Sequence, residues 1–187
     1  MQDLLCDVLI VIDMQNDFIT GSLGTKEARE IVPNVVEKCK HYSENNKPIY
    51  FTQDTHYRNY LTTLEGKYLP IIHCKTGSFG WEIHEDLKAY IEPYSKYIKE
   101  TFGYIEKYVF ERDEVDSYLF ESNRYAPSSI EICGLCTDIC VISNALILRT
   151  KFPNTKIYCD HTCCAGTTPF KHEAALNVMK SCQIEII

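Results

Sequence analysis

Residues 7–12, Asp-Val-Leu-Ile-Val-Ile, form a near-continuous apolar run of strand length. A strand that alternates apolar and polar residues keeps one face wet. One that does not is buried on both faces, as in parallel sheets covered by helices. A helical stretch follows, with Ile31, Val35, Val36 and Cys39 on one stripe and Asn45–Asn46 ending it, and residues 48–52 (PIYFT) give a second strand. Residues 54–80 read as a long polar loop rich in aromatics, 81–90 as a short amphipathic helix and 97–99 as a short strand. Further on, 115–121 reads as helix, 129–133 as strand, 137–150 as a buried helix, 156–159 as strand, 169–180 as helix and 185–187 as a terminal strand. The expected fold class is α/β, a mostly parallel sheet covered by helices and joined by right-handed crossovers. In such open sheets ligands bind beyond the carboxyl ends of the strands. The segments 13–18, 54–56, 99–102, 134–140 and 160–165 should therefore crowd one edge.

With 187 residues, 45% hydrophobic and 24% charged, the chain suits one globular domain spanning 1–187. No run approaches the roughly 20 apolar residues of a membrane span. The first residues lack the basic cluster of a signal peptide, so a cytoplasmic location is expected. A net charge of −7, spread along the chain, argues against a nucleic-acid or membrane partner. Ten cysteines invite a disulfide framework, but the chain is too long for a stapled mini-domain, and Cys133 and Cys159 sit inside strand-like runs. Reduced thiols that mostly fill core are the expectation.

Cys140 stands apart from the other nine. A strand ends at Gly134, a tight turn follows, and a helix begins near Thr137, a good N-cap residue. Cys140 then falls in the first turn, where the macrodipole and unpaired amides favour a thiolate. The same amides, with that of Cys136, can receive the oxyanion of a tetrahedral intermediate. Two other readings stay open at this point: a metal–thiolate cluster, since Cys133-x-x-Cys136 has zinc-knuckle spacing, and plain core filling. A thiol nucleophile also needs a base. Asp13, ending the apolar run, can carry a raised pKa at the core's edge and shuttle a proton at neutral pH. Lys99, after another strand, can supply the cation that lowers the thiol's pKa. Each has a bland alternative, a turn-capping Asp and a solvated Lys.

Asp54-x-His56 and His73 form a second constellation. One carboxylate and two imidazoles make a site for zinc, iron or manganese with open positions, and Glu65 could add an oxygen directly or through water. Surface loop histidines are the alternative, because D-x-H is a short pattern.

Six segments in order carry a resemblance: VLIVIDMQNDF (8–18), QDTH (53–56), EGKYLPIIHC (65–74), KETFG (99–103), GLCTDICV (134–141) and CDHTCCAGTTPFKHEAAL (159–176). Together they resemble the isochorismatase-like cysteine hydrolases, and within them the nicotinamidases, over nearly the whole chain. The resemblance implies a six-stranded, mostly parallel sheet sandwiched by helices. It implies an Asp13–Lys99–Cys140 triad, metal ligands Asp54, His56 and His73 with Glu65 as an additional one, and a cis peptide at Leu135–Cys136. The position of Cys136 is commonly Ala in the family.

By the same resemblance the chain would hydrolyse nicotinamide to nicotinate and ammonia, as in pyridine nucleotide salvage and NAD biosynthesis. A divalent metal, zinc first, with iron or manganese also suited, would orient the substrate. Phe18 and Phe102, near Asp13 and Lys99, would sandwich the pyridine ring, with core packing as their alternative. Two other functions remain: an amidase of the superfamily acting on a non-pyridine amide, and a metal- or partner-binding protein that has lost turnover. Thirteen tyrosines leave room for a homo-oligomeric interface. Cys163 and Cys164 have no assigned role beyond packing.

Overall fold

β1 (Val8–Ile12) is buried along its whole length, as its unbroken apolar composition requires. It lies at the centre of a computed structural model that describes residues 4–91, 95–97 and 127–187. Around it run β2 (Ile49–Phe51), β3 (Ser95–Tyr97), β4 (Ser129–Leu135), β5 (Lys156–Ala165) and β6 (Glu185–Ile186). Among the described residues the sheet has six strands, all parallel, in the order β3-β2-β1-β4-β5-β6. The chain therefore builds outward from β1 in one direction and from β4 in the other. Right-handed crossovers then place the helices of the two halves on opposite faces, and the switch point falls between β1 and β4. Crevices at such reversals are where open α/β sheets bind ligands.

The β1-to-β2 connection carries α1 (Asn16–Ile19), α2 (Lys26–Glu30) and α3 (Val32–Glu44). α3 buries Val32, Val35, Cys39 and Tyr42, one residue per turn, and leaves Val36 half-buried. On the other half, α5 (Ile142–Lys151) and α6 (Pro169–Ser181) pack on each other and on β5. Thr168 caps α6 by accepting the Lys171 amide, and Pro169 supplies the first helical residue, where its missing N–H costs nothing.

Four expectations are corrected. The loop 54–80 contains a 3₁₀ turn (Tyr60–Thr62), α4 (Leu64–Tyr68) and a second 3₁₀ turn (Phe79–Trp81). These single turns are held by the caps Thr63 and Ser78 rather than by a periodic apolar stripe. The short helix expected at 81–90 is a 3₁₀ helix, Glu85–Tyr90. The helix expected over 137–150 begins instead with a π turn, Thr137–Val141. Finally, β5 runs past Cys159 because of a bulge: Ile132 pairs with Cys159, but Gly134 pairs with Cys164.

That bulge, residues 160–163, points toward α3 rather than to the ligand-binding edge. Lys38 bonds Asp160 at 2.8 Å, and Asn34 Nδ2 donates to the Thr162 carbonyl at 2.8 Å. Cys164 Sγ lies 3.8 Å from Cys159 Sγ, with both thiols buried. The segment that follows β5 at the edge is therefore Gly166–Thr168. All ten cysteines are free thiols, and eight are buried. No described helix is long and apolar enough to cross a membrane. The helix expected at 115–121 lies outside the described residues, as do Ile98 and Lys99 of the expected strand 97–99.

Candidate active site and metal centre

At the switch point, β1 delivers Asp13 and β4 delivers the turn that carries Cys140. Asp13 has φ +47°, a left-handed backbone that a non-glycine residue keeps only where its surroundings hold it. Thr52, just past β2, does so. Its Oγ1 accepts the Asp13 amide at 3.1 Å and donates to Asp13 Oδ1 at 2.6 Å. Burial, and then the negative charge of Asp54, push the Asp13 carboxyl up to about 7; the bonds from Thr52 and Cys140 oppose that rise.

Gly134 lets the end of β4 lie close beside the end of β1, where it pairs with Ile12. Its φ is +119°, and a Cβ there would lie 2.1 Å from the Ile12 carbonyl oxygen. One residue further on, the Leu135–Cys136 peptide is cis. Cys136 then occupies the cap position of the π turn, its carbonyl accepting from the amides of Ile139 at 3.0 Å and Val141 at 3.1 Å. Asn144 Nδ2 donates to the Cys140 carbonyl at 2.8 Å. Thr137 is not the cap expected from sequence. It is the first residue of the turn, fully buried, and its hydroxyl faces His172 Nδ1 at 2.8 Å.

Cys140 is buried, and its thiol interacts with the Asp13 carboxyl. Burial and the charges of Asp13 and Asp54 push the thiol well above its ordinary value. The described surroundings thus oppose the resting thiolate expected at the helix start. Desolvation and two carboxylates outweigh the half-charge of one turn. Lys99, the expected cation, and Phe102 both lie outside the described residues.

The second constellation also assembles. Asp54 Oδ2 lies 3.0 Å from His56 Nε2 and 3.3 Å from His73 Nε2, and the two imidazole nitrogens are 3.2 Å apart. Glu65 Oε1, from α4, stands further off, at 3.7 and 4.0 Å from the same nitrogens. His73 Nδ1 is 2.7 Å from the Ile71 carbonyl, which can only accept, so the neutral ring carries its proton there and aims the Nε2 lone pair inward. Burial would raise the Asp54 carboxyl, but its bonds to His56 and His73 hold it below the usual carboxylate range. No nitrogen or oxygen donor among the described residues reaches the buried Asp54 Oδ1. Two imidazole nitrogens and a carboxylate that converge on one point fit a divalent metal. Among the described residues Asp54, His56 and His73 are the one such group of three or more, so the metal–thiolate reading of Cys133, Cys136 and Cys140 finds no support there.

Three residues that sequence reasoning missed frame this centre. Gln15 clamps Asp54 through the backbone, donating to its carbonyl at 2.9 Å and accepting its amide at 2.7 Å. Tyr60 packs its ring against His56 and His73, with centroids at 4.4 and 5.2 Å, and anchors its hydroxyl on the Leu69 carbonyl at 2.8 Å. Thr52 holds Asp13, as above. Gln15 and Thr52 flank strand ends already singled out, so position was the available signal; Tyr60 had none. Phe18 is buried with its ring 5.7 Å from that of His73.

Residues 7–187 match the model of the isochorismatase domain. The chain belongs to the isochorismatase family. A comparison with curated proteins finds no match. Among solved structures, this family member is similar to the pyrazinamidase of Pyrococcus horikoshii in complex with zinc. Identity is 26% over 96% of this chain and 97% of that one, with a TM-score of 0.75. It is also similar to the nicotinamidase of Bacillus subtilis, at 26% identity, 96% and 97% coverage and a TM-score of 0.78. The N-carbamoylsarcosine amidase of Thermoplasma acidophilum shares the fold, at 22% identity, 96% and 94% coverage and a TM-score of 0.73. These isochorismatase-like relatives are amidases by name, so hydrolase chemistry is the family's ground.

Proposed function

We propose that this isochorismatase-family chain is a nicotinamidase, one domain that hydrolyses nicotinamide to nicotinate and ammonia through a thioester on Cys140. The observation that carries the reading is the meeting, at one switch point, of a thiol–carboxylate pair and a carboxylate–bis-imidazole set. The charge of Asp54 raises both Asp13 and Cys140, which supports reading the two halves as one site.

Asp13 takes the Cys140 proton as the sulfur attacks the carboxamide carbon, and Lys99 stabilises the resulting ion pair. A carboxyl poised near 7 suits that task at neutral pH. The oxyanion is received by the amides of Cys136 and Cys140. Asp13 then returns its proton to the departing ammonia, and afterwards draws a proton from the water that opens the thioester. Asp54, His56 and His73, with Glu65 directly or through water, would hold a divalent cation, zinc first, with iron or manganese also suited. When bound, that cation offers a Lewis-acidic position to the ring nitrogen of a pyridine carboxamide and so fixes its orientation. Phe18 and Phe102 supply the walls against the ring.

An amide panel tests the substrate. Ammonia release should give nicotinamide a kcat/KM at least about 100-fold above N-carbamoylsarcosine, because a site built around one polar contact rejects substrates that cannot make it. A non-pyridine amide turned over faster would leave the hydrolase and remove the nicotinamidase. A protein that retained metal but released no ammonia from any amide would be a binding protein on this fold.

A further inference from the structure

We infer that His172, acting through Thr137, is a positioning residue for the nucleophile turn; the inference rests on the reading of Cys140 as the nucleophile. A fully buried hydroxyl must find a partner, and that of Thr137 finds His172 Nδ1 at 2.8 Å. The next residue is bound from the same side. Asp138 accepts the Thr167 amide on Oδ1 and the Thr167 hydroxyl on Oδ2, each at 2.7 Å.

His172 is itself fixed. Its amide donates to the Thr168 carbonyl at 2.9 Å in the first turn of α6. Gly166 lets the segment pass close: a Cβ there would lie 2.9 Å from Asp138 Oδ1 and equally near the His172 amide nitrogen. Residues 166–172 and 137–138 thus interlock, and the bulge in β5 sets the register that brings them together.

The consequence is mechanical. Thr137 directly follows Cys136 and lies three residues before Cys140. A shift of the turn would move the thiol and both oxyanion amides together. Asp13 would stay behind, because it is held by Thr52 on the other half of the sheet. Rate depends on that relative placement, and a displacement near 1 Å costs about 100-fold. The bond demands a polar atom at the Nδ1 position and tolerates either donor sense, and Asn meets both conditions while Leu meets neither.

The test compares wild type, His172→Leu, His172→Asn, Thr137→Val and the Thr137→Val/His172→Leu double variant. Two readouts are used, ammonia release from nicotinamide and the rate at which iodoacetamide alkylates Cys140, followed by peptide mass. His172→Leu and Thr137→Val should each lower kcat about 10- to 100-fold, with KM within about 3-fold and alkylation of Cys140 slowed about 5-fold or more. His172→Asn should recover both readouts to within about 3-fold of wild type, and the double variant should be no worse than the poorer single one. Wild-type alkylation in His172→Leu, an Asn variant as impaired as the Leu variant, or multiplicative losses in the double variant would overturn the inference. Cys140→Ala separates the two ideas. Turnover surviving that change overturns the nucleophile, whereas a dead Cys140→Ala beside an unaffected His172→Leu overturns the positioning role alone.

Discussion

Thr52 holds Asp13 at both ends, taking its amide on Oγ1 at 3.1 Å and donating to its Oδ1 at 2.6 Å. This double contact lets a carboxylate remain in a left-handed backbone at the end of a fully buried strand, with one oxygen occupied and the group directed at Cys140. It also makes Asp13 the element whose protonation should dominate the pH behaviour.

The acid limb of kcat/KM for nicotinamide should fall near pH 7. Asp13 must be ionised to accept a proton, and burial followed by the charge of Asp54 raises it to about 7. Activity therefore rises with pH through that value. Thr52→Val removes a bond that favours the ionised form, so the limb should move to higher pH, while Thr52→Ser should leave it in place. A limb near pH 4 in the wild type would remove Asp13 from the role of base.

The same shift sets a stability prediction. Between pH 3.8 and about 7 the folded chain keeps a proton on Asp13 that the unfolded chain releases. Stability from this residue is therefore lost as pH rises through that window. Asp13→Asn should be inactive yet melt higher than wild type at pH 8, by about 3 °C or more, since roughly 1 kcal/mol moves Tm 2–4 °C at this size. A lower Tm for the variant would contradict it.

Metal removal should act on substrate orientation before it acts on the nucleophile. Chelation, or His56→Ala, should raise KM for nicotinamide by about 10-fold or more while the rate of Cys140 alkylation stays within about 2-fold of wild type. Metal content read by elemental analysis should fall in parallel. An unchanged KM with a reduced kcat would assign the centre a different task.

Away from the site, Glu131 is fully buried in β4 and bonded by Lys38 and by the Tyr42 hydroxyl at 2.6 Å. Lys38→Met leaves that carboxylate, among the described residues, with Tyr42 alone and should cost about 3–5 kcal/mol, measured by urea unfolding, because removing one partner strands a buried charge. A loss under about 1 kcal/mol would mean that the tyrosine suffices.

Much of this was legible in the residues. The unalternating run 8–12 announced a central strand, and the alternation after it announced a parallel sheet with its chemistry at one edge. Asp13, Cys140, Asp54, His56 and His73 arrive there from four separate segments. The rest depends on contacts that no local pattern carries. The one-turn helices between 54 and 80 are held by single caps, so periodicity does not show them. The bulge that pulls Asp160 away from the edge exists because Lys38 and Asn34 on α3 hold it. Thr137 reads as an N-cap until His172 takes its hydroxyl. The push of burial and of Asp13 and Asp54 on the Cys140 thiol is likewise invisible from the helix start alone.

The central claim is the nucleophile, and the direct measurement is ammonia release from nicotinamide by wild type and by Cys140→Ala, with thermal melts run alongside. The account predicts that the variant melts like wild type and loses at least about 1,000-fold in kcat. Turnover retained by a folded Cys140→Ala protein would contradict it.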